Sequence, residues 1–390
     1  MRDQRTHRRS SVDVAVIGGG IIGCAAAAIL ADRGASVVLA EASAIGAGAS
    51  GRNLGAIQHP FDVELAPLYR ESLSRYRALA EQPGAGFSIA RQPAGLLLLN
   101  RDPSAAARQA DRLSRVMPEL EPRLLSPGEV TALEPSLAPG PAAVRLATGF
   151  PVPPAAATEA WAALAQERGA DLLVGSPARP VVDADSAAGI ALGDGTRIVA
   201  GAVLVAAGPW TPRLVDPGGA WRPIASTWGV TVQLRLGAAA PSHIVEEDEV
   251  DAINRAAAAT DRAAAGRAEH DPPSLFSIAS AGGVSTLGST FLPAEPDPSF
   301  IEPLLLRRAT TFLPAVAEAE VIGRRLCARP QSIDGRPFIG PAADVDRLFV
   351  CAGHGPWGIS TGPASAAIVA RSILDGTPVP ERLDARRTPP

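Results

Sequence analysis

The stretch VDVAVIGGGIIGCAAAAILADRGASVVLAEAS, Val12 to Ser43, decides the fold. Val12 to Ile17 reads as a buried parallel strand, since such strands are apolar on both faces. Gly18, Gly20 and Gly23 follow as GxGxxG where strand gives way to helix. The first glycine permits the tight turn, the second lets a pyrophosphate approach the backbone, and the third lets helix and strand pack closely. Ile21 to Arg33 is alanine-rich and strongly helix-forming, and Gly34 supplies a C-terminal stop. The helix N-terminus, with its unpaired N–H groups and positive dipole end, faces the phosphates. Ser36 to Ala40 is expected as the next strand, and Glu41 ends it, placed to accept both hydroxyls of an adenosine ribose. A carboxylate there disfavours a 2′-phosphate, so FAD or NAD is expected rather than NADP. Gly18, Gly20, Ile22, Gly23, Glu41 and Ala42 are the candidate nucleotide-binding residues of this unit.

Composition narrows the chemistry. The chain has 390 residues, room for one large core or two domains. Hydrophobic residues make up 46% and charged residues 19%, as in folded rather than disordered chains. The net charge is −4 and no basic stripe suggests nucleic acid. All 36 basic residues are arginine, which excludes a lysine Schiff base or general base. Cys24, Cys327 and Cys351 form no CxxC and the histidines show no metal-ligand spacing, so neither a disulfide framework nor a metal site is expected. The basic start MRDQRTHRRSS imitates a secretory signal. Cleavage there would destroy the nucleotide-binding unit, so a cytoplasmic protein with no membrane partner is expected.

Ala44 to Gly55, AIGAGASGRNLG, decides between the two cofactors. It is glycine-rich and carries Ser50, Arg52 and Asn53, a loop suited to following an extended ligand past its pyrophosphate. Three further segments come in order: Gly169 to Leu214, ending VLVAAGPWTPRL; RLCARPQSIDGRPFIGP, Arg325 to Pro341; and LFVCAGHGPWGISTGPASAAIVARSIL, Leu348 to Leu374. With these motifs the chain resembles the FAD-dependent amine and amino-acid oxidoreductases, the group of D-amino-acid oxidase, glycine oxidase and sarcosine oxidase, over nearly its whole length after residue 11.

The resemblance implies an α/β FAD-binding Rossmann-like domain of the glutathione-reductase type, with a second α+β substrate domain built on an antiparallel sheet. The FAD domain is expected from 11–88, 150–222 and 326–384, the substrate domain from 89–149 and 223–325, with 1–10 and 385–390 as tails. Strands are expected at Gly95 to Asn100 and Trp228 to Leu236, a hairpin over Ser274 to Phe291 turning at Gly282-Gly283, and helices at Ala106 to Val116 and Ile301 to Phe312. The acid run Glu246 to Glu249, with the alanine-rich sequence through Arg267, reads as a solvated helix or loop, or else an active-site lid.

Site residues follow from the same resemblance. It sets Ala178 against adenine, Ala207 and Gly208 close to the cofactor, and Gly355, Trp357, Gly358 and Ile359 against the flavin ring and ribityl chain. It gives Arg329 the substrate carboxylate, which a guanidinium grips through two parallel hydrogen bonds; pairing with a structural carboxylate such as Asp334 is the alternative. Arg336 matches no substrate position. His354, Gln58 and His59 are further candidates in or beside the pocket, His59 also reading as a capped loop histidine. Cys327 stands where sarcosine oxidases bond the flavin covalently, but Ala328-Arg329 departs from their pattern, so FAD is expected to be non-covalent, with a thioether to Cys327 as the alternative. Trp357 replaces a lysine of sarcosine oxidases, and the lysine near flavin N5 is also missing, which leaves oxidase and dehydrogenase both open. Trp228, Phe276 and Trp357 remain to make an aromatic wall, for a substrate that differs from glycine or sarcosine.

The implied reaction is oxidation of the C–N bond of an amino acid or N-substituted amino acid to an imine, with O2 or another electron acceptor. A 2-hydroxy-acid dehydrogenase and a flavin-bearing subunit or non-catalytic flavoprotein stay open as alternatives, as does the oligomeric state.

Overall fold

A computed structural model describes residues 10–248 and 274–388. The Val12–Ser43 stretch folds as read: strand Ser11–Ile17, helix Ile21–Asp32, strand Val37–Ala40. The first strand forms the middle of a parallel sheet. Its neighbours are Val37–Ala40 on one side and Arg197–Val205 on the other; Asp171–Leu173 and Leu348–Ala352 extend the sheet in parallel at either end. Phe338–Pro341 closes one edge antiparallel, and Ala178–Asp183 and Ser186–Leu192 form an antiparallel flap on Arg197–Val205. The alanines of Ile21–Asp32 are buried because helices Pro154–Glu167 and Gly358–Asp375 press on it; only small side chains allow that approach.

A second eight-stranded sheet runs in the order Glu320–Ser332, Ile224–Arg235, Val284–Thr290, Ser274–Ala281, Ile244–Glu247, Leu96–Asn100, Ala142–Leu146, Arg123–Leu125. It is antiparallel except for Ile244–Glu247 beside Leu96–Asn100. Helix Pro298–Thr310 buries one face with Val230, Val232, Phe276, Ile278 and Leu287. The hairpin turns at Gly282-Gly283 as expected, while the two expected helices begin three residues earlier, each behind a capping aspartate, Asp102 and Asp297.

Three expectations need correction. The boundary at 326 cuts one strand, since Glu320–Ser332 pairs with Ile224–Arg235 along its whole length and so belongs to the second sheet. Of the acid run, Glu246 and Glu247 are in a strand: Glu246 is buried and Glu247 holds Arg308 at 2.7 Å. The remainder of that run, Glu249 through Arg267, lies outside the described residues. The C-terminal segment expected as a tail is anchored at its start. The Ala385 N–H donates to the Ile339 carbonyl, and Arg387 makes a buried ion pair with Asp334 at 2.9 Å.

Candidate active site

A cavity of about 740 Å³ runs along the C-terminal ends of the parallel strands and reaches the second sheet. Such ends, where helices begin, are the usual ligand crevice of an open α/β sheet. Its wall contains Gly18, Gly20, Ile22, Glu41, Ala42, Ser50, Arg52, Asn53, Ala178, Ala207, Gly208, Gly355, Gly358 and Ile359, all anticipated, together with Arg329, His354 and Cys327. Gly23 is not in the wall but beneath it, where a Cβ would strike the Gly18 carbonyl. Gly18 has φ +114°, and a Cβ there would meet the Ala206 carbonyl oxygen at 2.5 Å. Both glycines therefore keep the turn narrow and the cradle open.

The cradle suits a dinucleotide. Helix Ile21–Asp32 starts at the cavity with no acidic residue in its first turn to compete with an anion. The Ile21 N–H donates to Ser50 Oγ at 2.9 Å, which fixes the Ala44–Gly55 loop to that helix end. This loop contains one helical turn, Ala49–Arg52, whose first two carbonyls, Ala49 and Ser50, accept from the Asn53 side chain. Glu41 accepts from the Gly19 and Ser43 N–H groups at 2.7 and 2.8 Å and stays at the rim. FAD fits these residues, with Glu41, Ala42 and Ala178 at one end and Cys327, Arg329 and His354 at the other.

Arg329 answers the main question about the site. Its Nη1 donates to the Thr290 carbonyl at 2.8 Å, Nη2 donates to Ser289 Oγ, and the guanidinium lies 4.7 Å over the Phe291 ring. All three partners are neutral. Among the described residues no carboxylate pairs with it, and Asp334 is taken by Arg387. Withdrawal from water pulls the Arg329 pKa below the ordinary guanidinium value, with Cys327 acting the other way. Two of its five N–H donors are thus spent on positioning, and the side chain keeps donors for an anion at the cavity wall. Gly229 makes room: a Cβ there would collide with the guanidinium.

Arg325, Cys327 and Arg329 alternate onto one face of their strand. Arg52 reaches the same strand and donates to the Leu326 carbonyl at 3.0 Å. Burial pushes the Cys327 thiol up; Arg329, Arg52 and Arg325 pull it back, with a net upward shift. His354 Nε2 lies 2.9 Å from Ser365 Oγ, which donates its own hydrogen to the Thr361 carbonyl. The proton is therefore on Nε2, leaving Nδ1 an acceptor, buried without a partner. Burial lowers the His354 pKa to about 3, so the ring is neutral.

Other candidates lie elsewhere. His59 is buried against Tyr69, its Nδ1–H donating to the Pro60 carbonyl at 2.6 Å; it is the capped loop histidine, outside the cavity wall. Gln58 is one step removed, its backbone N–H donating to Ser360 Oγ at 3.0 Å. Trp357 turns its ring edge-on to Phe61, away from the wall. Phe276 stacks on Phe312 in the helix-covered core, so the expected aromatic wall does not form. Arg336 holds Asp62 at 2.7 Å, a structural pair. Trp210 and Arg213 line the cavity and were not anticipated, although both lie in the quoted VLVAAGPWTPRL segment. Glu246, hydrogen-bonded to Gln58, was hidden by its acidic neighbours.

Among the described residues, no cluster could hold a metal ion and no helix is long and apolar enough to cross a membrane. The chain is 30% identical to a glycine oxidase of Geobacillus kaustophilus over 94% of this chain and 93% of that protein. A glycine oxidase structure from Bacillus cereus superimposes with a TM-score of 0.79 at 23% identity, covering 94% of this chain and 96% of that one. An iminodiacetate oxidase from Chelativorans does so with a TM-score of 0.78 at 23% identity, covering 95% and 98%. Residues 13–372 match the DAO family. With cradle, sheet order and family match in agreement, the chain is an enzyme that uses FAD and belongs to the DAO family of FAD-dependent oxidoreductases.

Proposed function

We propose that the enzyme oxidises the C–N bond of an amino acid or N-substituted amino acid to an imine, which water then hydrolyses to a keto or aldehyde product. The observation that carries this reading is Arg329, a guanidinium at the cavity wall held by neutral partners and left without a carboxylate. Two of its three remaining donors fit the two oxygens of a carboxylate and fix both position and angle. FAD held by the cradle of Gly18, Gly20, Glu41 and Ser50 would supply the hydride acceptor. The substrate nitrogen must be neutral as hydride leaves, so that its lone pair forms the C=N bond. His354, neutral and fixed by Ser365, does not protonate it. FAD is held without a covalent link, since the Cys327 thiol is kept protonated and the thiolate is the reactive form.

Arg329→Leu tests the anchor. The KM for amino-acid substrates should rise by about 10- to 150-fold per charge-assisted hydrogen bond lost, while amines lacking a carboxylate should change little. An equal effect on both kinds would remove the anchor role. Anaerobic bleaching of the flavin by amines but not by 2-hydroxy acids separates this reading from an alcohol dehydrogenase.

A further inference from the structure

The charges on the cavity wall divide by sign along its length. Among the described residues the wall holds a single acid, Glu41, at the end with Ala42 and Ala178. Two of its cations, Arg52 and Arg329, stand at the other end beside Cys327. Arg52 Nη1 donates to the Leu326 carbonyl at 3.0 Å, and Arg325 Nη1 reaches back from the strand to the Asn53 carbonyl at 3.4 Å. Arg52, Arg325 and Arg329 all act on the Cys327 thiol as positive charges, so three guanidiniums gather about one strand position. Their acceptors are carbonyls and one hydroxyl, and no carboxylate among the described residues pairs with any of them.

Backbone contacts, not an ion pair, hold Arg52 in place. Thr231 Oγ1 donates to its carbonyl at 3.5 Å, and the Asn53 side chain ties off its helical turn at Ala49 and Ser50. The Leu326 carbonyl takes one of its five N–H donors, and the residue is exposed, so the others face solvent that a bound ligand would displace. The FAD diphosphate belongs at the helix N-terminus by Gly20, and the oxidised flavin ring is neutral. A ligand with one carboxylate, taken by Arg329, therefore leaves this end of the site with a cation in excess. Exclusion of water makes that excess more costly and a second anion more favourable.

We propose that the substrate carries two acidic groups: an amino acid with a second carboxylate on its side chain or on its N-substituent, with Arg329 on the first carboxylate and Arg52 on the second. The inference rests on the proposed reaction, because it takes Arg329 as the carboxylate anchor. A ligand gripped by both arginines is larger than glycine. An ammonium extension is repelled by the two guanidiniums, and an apolar one strips water from the Arg52 donors without replacing it.

The test mixes the holoenzyme anaerobically with acids and their isosteric amides: aspartate beside asparagine and glutamate beside glutamine, each in both enantiomers, and iminodiacetate beside N-(carbamoylmethyl)glycine. The first pairs probe a side-chain acid, the last an N-substituent. The concentration dependence of flavin bleaching, or of the flavin spectrum for a member that does not turn over, gives Kd. In at least one pair the acid should bind about tenfold more tightly than the amide, and Arg52→Gln should bring that ratio to about one. Arg52→Lys, which keeps the charge but not the paired donors, should leave a reduced ratio, and it decides the matter should Arg52→Gln fail to retain flavin. Equal or tighter binding of the amide in every pair overturns the inference. So does equal weakening of acid and amide by Arg52→Gln, or a ratio untouched by Arg52→Lys. Bleaching by amino acids with no preference for the acid would leave the proposed reaction standing and this inference refuted. Bleaching by 2-hydroxy acids alone would refute the reaction itself.

Discussion

Gly229→Ala isolates the position of Arg329 from its charge. The glycine faces Cys327 across the strand pair, and the Arg329 guanidinium crosses directly over it toward Thr290 and Ser289. A Cβ at 229 would collide with Nη1, Nη2 and Cζ of the guanidinium, so the side chain must move. Backbone tolerance is not the difficulty, because alanine is no worse than glycine within a strand. Displacement breaks the bond to the Thr290 carbonyl and turns the free donors away from the carboxylate position. Losing one charge-assisted hydrogen bond to the substrate costs about 1.5–3 kcal/mol, or about 10- to 150-fold in KM. Steady-state kinetics on a carboxylate substrate measure this, with thermal denaturation and bound-flavin content as controls for folding. Full flavin loading with KM within about twofold of the parent would show that the observed guanidinium position is not what binds the substrate.

The remaining predictions concern the cofactor and the frame around it. Acid precipitation should leave all the yellow colour in the supernatant, because the Cys327 thiol is shifted toward its protonated form; colour in the pellet would establish a thioether. His354 stays neutral when folded, with a pKa near 3, but takes a proton when unfolded below its ordinary value of 6.5. The unfolded state then binds more protons between those values, so stability falls as pH drops through that window, by about 2 kcal/mol at pH 5. His354→Gln should flatten the pH dependence of the denaturation midpoint, and an unchanged slope would contradict the assignment. Arg387→Ala strands Asp334 in a buried position, removes the cation 3.7 Å over Phe338, and should cost about 3–5 kcal/mol in urea unfolding; a loss below about 1 kcal/mol would return residues 385–388 to the status of a tail.

What could be read from the sequence was whatever a local motif encodes. Gly18, Gly20, Gly23 and Glu41 are fixed by one strand-turn-helix-strand unit, so their spacing alone places them around a nucleotide. Arg329 could be suspected because its motif sits in a segment with a known family position, but its lack of a carboxylate partner depends on Asp334 being taken by a residue 53 positions away. Glu246 shows the opposite case. In sequence it is one of several adjacent acids, and adjacent acids normally mean solvent. In the fold, strand alternation separates them: Glu247 turns to Arg308, and Glu246 turns to the opposite face and to Gln58, 188 positions earlier. That placement exists only because Ile244–Glu247 pairs between Ser274–Ala281 and Leu96–Asn100, partners contributed from both sides of it in the chain. A shift of one residue in that register would put Glu247 against Gln58 and Asp248 against Arg308, and would turn Glu246 into the helix-covered core in place of Val245. The burial of this carboxylate is thus a property of long-range pairing, encoded in register rather than in any motif.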